Sequence, residues 1–281
     1  MKQTFYKMHG IGNDYIYFDC MNEELADPEA VSIRLSDRHK GIGGDGIVMI
    51  CASKVADAKM RMFNADGSEG KMCGNAIRCV GKFLYDFKKT QKTELTIETL
   101  SGIKTLSLQV ENGKVQTVKV DMGAPILLPE QIPVKLEAFE KDRIVAEETE
   151  IAGGRYAITC VSMGNPHCVL FTDPTALDLE KIGPSFENAP IFPERINTEF
   201  VKVLGKNQLQ MRVWERGSGE TWACGTGACA VAVAAVLNGY AERNEDITVR
   251  LRGGDLVIRW TDETVYMTGS ATLVFSGEIE I

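Results

Sequence analysis

The sequence predicts an α+β fold made of two similar halves, and three observations support that prediction. Segments with the alternating pattern of strands outnumber segments with helical character. Part of the first half recurs in the second at a nearly constant offset. Each copy runs from a glycine-rich loop into an apolar helix. We therefore expect two pseudo-symmetric domains, each a mostly antiparallel β-sheet or barrel around a central helix.

The internal repeat is clearest around two cysteines. Met60–Asn64 resembles Met211–Glu215, which sets the offset at 151 residues. Five further matches fall at that offset or one residue from it: Glu69 with Glu220, Cys73 with Cys224, Gly74 with Gly225, Gly46 with Asn197, and Gly12-Asn13 with Gly164-Asn165. A period of about half the chain indicates a duplicated domain, because solenoid repeats are only about 20–50 residues long.

The 281 residues suit two domains, since a domain averages roughly 150 residues. We place an N-terminal domain at residues 1–121 and a C-terminal domain at 122–269. The connection between them begins at Met122 and runs to Pro133, and it contains three prolines.

The predicted elements follow the two copies in order. Asn112-Gly113 is typical of a two-residue hairpin turn, and we expect consecutive strands to pair as antiparallel hairpins. A helix follows each repeated cysteine, over about 74–88 and 225–238. The predicted strands are 4–8, 15–19, 46–51, 59–64, 94–98, 105–110 and 114–120 in the first half, and 156–162, 168–171, 199–204, 209–215, 246–251, 255–260 and 265–269 in the second.

Composition excludes several classes of function. The net charge of −8 argues against nucleic acid as a partner, because phosphate binding needs a basic face. The longest apolar run, Ala228–Leu237, is far shorter than the roughly 20 residues of a membrane span. The N-terminus lacks a signal-peptide pattern, so we expect a cytoplasmic protein with reduced cysteines. No Cys-x2-Cys pair occurs, so no metal site is expected.

The repeated cysteines lie where a helix can activate a thiol. The first N–H groups of a helix lack internal partners and carry partial positive charge. Such a position lowers a thiol pKa, and the same N–H groups can hold a carboxylate. Gly74 and Gly225, which follow the cysteines, let a ligand approach the backbone closely.

Two such cysteines suit the inversion of a stereocentre. One removes a proton as the thiolate and the other returns a proton to the opposite face as the thiol, while N–H donors stabilise the carbanion. We therefore predict Cys73 and Cys224 as paired acid and base. The remaining cysteines lack this setting and are expected to be core residues: Cys20, Cys51, Cys79, Cys160, Cys168 and Cys229.

Seven motifs spread over the chain make it resemble the diaminopimelate epimerases. They occupy residues 8–14, 37–43, 64–68, 72–75, 164–167, 215–217 and 223–227. The resemblance implies a homodimer that interconverts LL- and meso-2,6-diaminoheptanedioate for lysine biosynthesis, without pyridoxal phosphate, another cofactor or metal. It also implies an active site in a cleft between the domains, with a C-terminal strand at 270–281 that returns to the first domain.

The resemblance also implies roles for individual residues. Cys73 and Cys224 are the acid/base pair, and His167 and Glu215 are auxiliary catalytic groups near the ammonium group and the thiols. Arg216 suits the distal carboxylate, since a guanidinium binds a carboxylate through two hydrogen bonds. The full set of substrate-binding residues is Asn13, Asn64, Gly74, Asn75, Asn165, Asn197, Glu215, Arg216, Gly225 and Thr226.

One departure and three alternatives accompany this interpretation. Some members of the family carry glutamine where this chain has Gly46, and we expect Asn197 or water to compensate.

A two-cysteine racemase for proline or hydroxyproline would share the chemistry but would not need a distal carboxylate. A thiol redox protein that uses Cys73 and Cys224 as a disulfide, and a non-enzymatic binding scaffold, are the remaining alternatives.

Overall fold

The computed structural model describes residues 2–135 and 142–281, and the chain divides into two units. The first comprises the chain up to Asp121 together with Thr268–Ile281, and the second is Met122–Met267. Strands dominate both units, and the described residues contain four α-helices. The predicted α+β class is confirmed.

The first part of the chain contains eight strands and two helices. They are β1 Lys2–Gly10, β2 Asn13–Cys20, α1 Pro28–Ser36, β3 Gly46–Cys51, β4 Ala58–Asn64, β5 Glu69–Gly70, α2 Gly74–Asp86, β6 Glu94–Thr99, β7 Gly102–Glu111 and β8 Lys114–Asp121.

The second part repeats this order. It consists of β9 Glu147–Ile151, β10 Gly154–Ser162, β11 Pro166–Phe171, α3 Leu179–Glu187, β12 Asn197–Gly205, β13 Gln208–Glu215, β14 Gly219–Thr221, α4 Gly225–Leu237, β15 Ile247–Leu251, β16 Gly254–Trp260 and β17 Val265–Ser270. The last strand, β18 at Thr272–Glu280, pairs antiparallel with β1 in the first unit.

Strand pairing follows one scheme in both units. In the first, β1–β2 and β3–β4 are antiparallel, while β2–β3 and β4–β6 are parallel. In the second, β10–β11 and β12–β13 are antiparallel, while β11–β12 and β13–β15 are parallel. This shared scheme supports the internal duplication.

The expectation that consecutive strands form hairpins is wrong for β2–β3 and for β11–β12. Parallel neighbours need a crossover connection, and α1 and α3 supply it. Neither helix was predicted, because each has only nine residues and α3 contains Gly183 and Pro184, which disfavour helix. The predicted hairpin turn at Asn112-Gly113 is present, with φ angles of 52° and 72° between antiparallel β7 and β8.

A buried helix lies against the sheet in each unit. Helix α2 packs on β1, β2, β7 and β8, and α4 packs on β10, β11, β12, β15 and β16. Alanine and valine cover every side of α4, and almost all of its residues are buried. A helix that is apolar all round belongs in a core. Each fully buried valine contributes about 1.5–3 kcal/mol, so packing holds the start of α4 in place.

We predict that Gly183→Ala destabilises the second unit. A Cβ at Gly183 would overlap the indole of Trp214, and overpacking of a core typically costs about 1–3 kcal/mol. The substitution otherwise favours helix by about 1 kcal/mol, so a net loss in urea unfolding identifies the clash. Gly205→Ala is the matched control, because no atom lies within 4 Å of its Cβ position. Equal stability of both variants would contradict this packing.

Candidate active site

Cys73 is the N-cap residue of α2. Its backbone is extended, at φ −135° and ψ 119°, so its sulfur turns back over the first helical turn. The Ala76 N–H donates to Sγ at 3.5 Å. The Cys73 thiol in turn donates to Oδ1 of Asn13 at 3.4 Å. The thiol is partly exposed, so a ligand could reach it.

A tight hairpin and a carboxylate orient Asn13. Ile11 and Gly12 both have positive φ angles, 48° and 92°, as a two-residue turn between β1 and β2 requires. Asn13 Nδ2 donates to Asp45 Oδ2 at 2.7 Å. A carboxylate only accepts hydrogen bonds, so the amide nitrogen must face Asp45 and the amide oxygen is left for Cys73.

Charged groups surround Asp45. Burial, together with the charge of Asp14, raises the pKa of Asp45, while Arg38 opposes this with a contact of 2.9 Å. Arg38 also binds Asp14 at 2.7 Å, and Lys7 contacts the same carboxylate at 2.5 Å. This network holds Asp45 beside Asn13.

A buried arginine supports the first turn of α2. The side chain of Arg78 has no exposed surface, and it donates to the Gly74 carbonyl at 3.0 Å and to the Ser270 carbonyl at 3.2 Å. It also donates to Asn75 Oδ1 at 3.1 Å, and Asn75 is only 2% exposed. Asn64, at the end of β4, donates to Ser68 Oγ at 3.0 Å. The predicted substrate contacts of Asn64 and Asn75 stay predictions.

Cys224 repeats the geometry of Cys73 at the start of α4. Its φ of −119° and ψ of 108° are close to those of Cys73, and the Gly227 N–H donates to its sulfur at 3.3 Å. The Thr226 hydroxyl lies 3.6 Å from the same sulfur. Cys224 is only 4% exposed, so its surroundings are drier than those of Cys73.

Burial and two carboxylates oppose ionisation of Cys224. Burial raises the pKa of this thiol well above its usual value, and the charges of Glu215 and Glu199 raise it further. The hydrogen bonds from Thr226 and Gly227 act in the opposite direction. Burial also raises the pKa of Glu215, whose carboxylate accepts a hydrogen bond from Thr221. At neutral pH Cys224 is therefore the thiol in the protein without ligand.

A chain of polar side chains leads from Cys224 into the core. Asn165 Nδ2 donates to Thr226 Oγ1 at 3.3 Å, and Asn165 Oδ1 lies 3.1 Å from His167 Nε2. The other ring nitrogen of His167 lies 2.6 Å from Glu199 Oε1. Glu199 was not among the predicted site residues. Aligning the two repeats could have found it, since this carboxylate replaces Val48 at the offset of 151.

Asn197 clamps the loop that carries Arg216. Its Nδ2 donates to the Pro166 carbonyl at 2.7 Å, and its Oδ1 accepts from the Arg216 backbone N–H at 3.0 Å. The Arg216 guanidinium donates to the Glu194 carbonyl at 2.9 Å. Both ends of the Asn197 amide are thus engaged within the second unit, and its predicted substrate contact stays a prediction.

No side chain fits at Gly46 on this backbone. A Cβ there would overlap the carbonyl oxygen of Phe63 on the neighbouring strand. The φ of Gly46 is 155°, which residues with a side chain rarely adopt. Glycine therefore allows β3 to lie close to β4 where Gly46 pairs with Asn64.

The six cysteines predicted as core residues are at most 2% exposed. Burial raises the pKa of Cys79 to about 11, which keeps it protonated and unreactive. Among the described residues, no group of three or more His, Cys, Asp or Glu side chains could hold a metal ion.

Comparisons with known proteins show to which family the chain belongs. The family model described as diaminopimelate epimerase matches residues 5–128 and 159–274. The chain belongs to the diaminopimelate epimerase family. Among its relatives, an enzyme named diaminopimelate epimerase from Acetivibrio thermocellus is 56% identical over 280 residues, covering 99% of this chain and 98% of the relative. One of the same name from Methanococcus maripaludis is 57% identical and covers 99% of both chains.

Solved structures share the fold of the family at low sequence identity. A Bacillus anthracis phenazine biosynthesis protein of the PhzF family has a TM-score of 0.73 at 16% identity, covering 100% of both chains. A hydroxyproline epimerase from Agrobacterium vitis has a TM-score of 0.67 at 13% identity, covering 99% of this chain and 91% of that one. Identities this low show the fold alone, so they do not favour the proline or hydroxyproline racemase alternative.

The helices in residues 2–135 and 142–281 do not reach the length and hydropathy needed to cross a membrane. The longest of them, α2 and α4, have 13 residues each.

We predict that Glu215→Gln accelerates the alkylation of Cys224. The substitution removes a negative charge that raises the pKa of this thiol, so the reactive thiolate becomes more abundant at pH 8. We expect a rate increase of about threefold or more with iodoacetamide, read at each cysteine by mass spectrometry. The control is Glu220→Gln, whose carboxylate pairs with Arg212 at 2.8 Å. A slower reaction of Cys224 would show that the charge of Glu215 does not govern it.

Proposed function

We propose that this chain interconverts LL- and meso-2,6-diaminoheptanedioate, in lysine biosynthesis, by a two-base transfer of the α proton. One observation carries the proposal: each repeat places a cysteine as the N-cap residue of a buried helix, with a backbone N–H of the first turn donating to its sulfur. Relatives at 56–57% identity that are named diaminopimelate epimerase support the choice of substrate.

In the proposed reaction one cysteine, as the thiolate, removes the α proton and becomes a thiol. The other cysteine, as the thiol, donates its proton to the opposite face of the same carbon and becomes a thiolate. The protons balance, and the reverse reaction exchanges the two roles. Free N–H groups at the starts of α2 and α4 would bind the substrate carboxylate and stabilise the charge that develops on the carbanion.

The two thiols enter this scheme from different settings. Cys224, buried beside Glu215 and Glu199, starts as the thiol. Cys73 is more exposed, and the Ala76 N–H donates to its sulfur. We therefore assign the first proton abstraction to Cys73 and the first proton donation to Cys224. We propose the remaining predicted site residues as substrate contacts, with Arg216 at the distal carboxylate and His167 and Glu215 as auxiliary groups.

The assembly and location of the protein belong to the same proposal. The resemblance to the family supports a cytoplasmic homodimer that works without pyridoxal phosphate. Analytical ultracentrifugation of the purified chain at micromolar concentration tests the dimer.

We expect Cys73→Ser and Cys224→Ser each to lower kcat for diaminopimelate epimerisation at least about 1,000-fold, because a hydroxyl is a far weaker acid than a thiol. The assay follows LL-substrate in deuterated water, where the wild-type product gains one deuterium at the inverted carbon. Cys79→Ser is the control, since this buried thiol has no role in the scheme. Epimerisation without deuterium uptake, or full activity in either variant, would refute the two-base reaction. Turnover of proline in place of diaminopimelate would refute the substrate.

A further inference from the structure

Glu199 is a buried carboxylate whose presence packing does not explain. Its side chain has no exposed surface, and Oε1 lies 2.6 Å from His167 Nδ1. Within the described residues, Oε2 has no hydrogen-bond partner. A buried polar atom left without a partner is destabilising, and more so when it is charged. Stability alone would therefore favour an apolar residue at this position.

The contacts of Glu199 form a chain with a defined direction. A carboxylate oxygen and an amide oxygen both only accept, so the contacts with Glu199 Oε1 and Asn165 Oδ1 require the ring of His167 to donate from Nδ1 and from Nε2. The other ring nitrogen faces Asn165 Oδ1 at 3.1 Å, which leaves Asn165 Nδ2 to donate to Thr226 Oγ1 at 3.3 Å. The hydroxyl oxygen of Thr226 thus accepts a hydrogen bond, which leaves its own hydrogen for the sulfur of Cys224, 3.6 Å away, once that sulfur is a thiolate and can only accept.

This arrangement is specific to the second unit. At the offset of 151, Glu199 corresponds to Val48 and Gly227 corresponds to Ala76. A Cβ at position 227 would lie 2.6 Å from Glu199 Oε1 and 3.1 Å from the Cys224 sulfur. Glycine at the third residue of α4 therefore makes room for the carboxylate. The carboxylate at position 199 and the glycine at position 227 thus belong together. This indicates an arrangement that serves only one of the two thiols.

We propose that Glu199 is a positioning residue that acts through His167, Asn165 and Thr226 to direct a hydroxyl hydrogen at the Cys224 sulfur and so stabilise its thiolate. That thiolate forms when Cys224 has donated its proton to the substrate, so the role in turnover rests on the proposed function. The hydrogen-bond chain from Glu199 to Thr226 does not, because it exists in the protein without substrate.

A direct charge effect would have the opposite sign. The negative charge of Glu199 raises the pKa of Cys224, as that of Glu215 does. If charge alone mattered, Glu199→Gln and Glu215→Gln would both accelerate alkylation of Cys224. If Glu199 works through the hydrogen-bond chain, Glu199→Gln slows it, because an amide can donate or accept and no longer imposes one direction.

The decisive experiment compares iodoacetamide alkylation at Cys224 and Cys73 in one sample, by mass spectrometry at pH 8. We expect Glu199→Gln to slow the alkylation of Cys224 about tenfold and to leave the alkylation rate of Cys73 unchanged. In other networks, removing the carboxylate that orients a histidine has a large effect on the rate. The control is Thr198→Val. Thr198 is equally buried, lies on the opposite face of β12, and its hydroxyl has no partner among the described residues.

Two further measurements separate this role from a structural one. The melting temperature of Glu199→Gln should fall no further than that of His167→Gln, because each variant removes one partner of the same buried pair. In a His167→Gln background, Glu199→Gln should cause no additional slowing, since the intermediary is already absent. Three results would each overturn the proposal. The first is unchanged or faster alkylation of Cys224, and the second is an equal change at both thiols together with a lower melting temperature. The third is full additivity of the effects of Glu199→Gln and His167→Gln on the alkylation rate.

Turnover provides a separate readout. We expect Glu199→Gln to lower kcat for diaminopimelate about 10–100-fold with a smaller change in KM, because Glu199 is fully buried and does not itself contact the substrate. Absence of activity in the wild type would refute the proposed function and leave the alkylation result valid. Normal turnover with slowed alkylation would overturn the role of Glu199 in the reaction.

Discussion

A backbone N–H that points at a sulfur atom is the interaction on which this structure depends. It occurs twice, from Ala76 to Cys73 and from Gly227 to Cys224. Each requires a helix that begins at the residue after the cysteine and cannot shift along its axis. Burial of α2 and α4 against their sheets provides that constraint, because any shift would break close packing along the whole helix. The sheets in both units thus serve to fix the first turn of a helix.

The two cysteine sites have similar backbone geometry but differ in the polar side chains that surround them. Asp45 turns the amide oxygen of Asn13 towards Cys73, so this side chain accepts from the thiol. In the second unit, His167 faces the amide oxygen of Asn165, and the amide nitrogen donates towards Thr226. The internal repeat thus provides the same scaffold twice, while the polar neighbours of the two cysteines differ between the copies.

Much of the fold could be predicted from the sequence because the repeat and the hairpin patterns are local. Both central helices, the turn at Asn112-Gly113 and the N-cap positions of the two cysteines follow from residue types in short windows. The parallel pairings of β2–β3 and β11–β12 could not, because they depend on crossovers through helices of only nine residues, too short for a clear helical pattern. Within the candidate site, the two thiols could be predicted from the sequence. Asp45 and Arg78, which orient neighbouring groups, could not, because the contacts of Asp45 with Asn13 and of Arg78 with Ser270 join residues far apart in the chain.

The pairing of β18 with β1 affects the order in which the molecule can be completed during synthesis. Residues 268–281 emerge from the ribosome after the whole second unit, yet they belong to the first. Until then β1 is paired with β2 on one edge only, and the Arg78 guanidinium beneath the Cys73 helix lacks the Ser270 carbonyl. All residues of the second unit are therefore synthesised before those of the first unit are complete. Until then the first unit keeps one unpaired strand edge. Translation that stops before β18 would leave a chain with the second helix entrance able to form and the first unfinished.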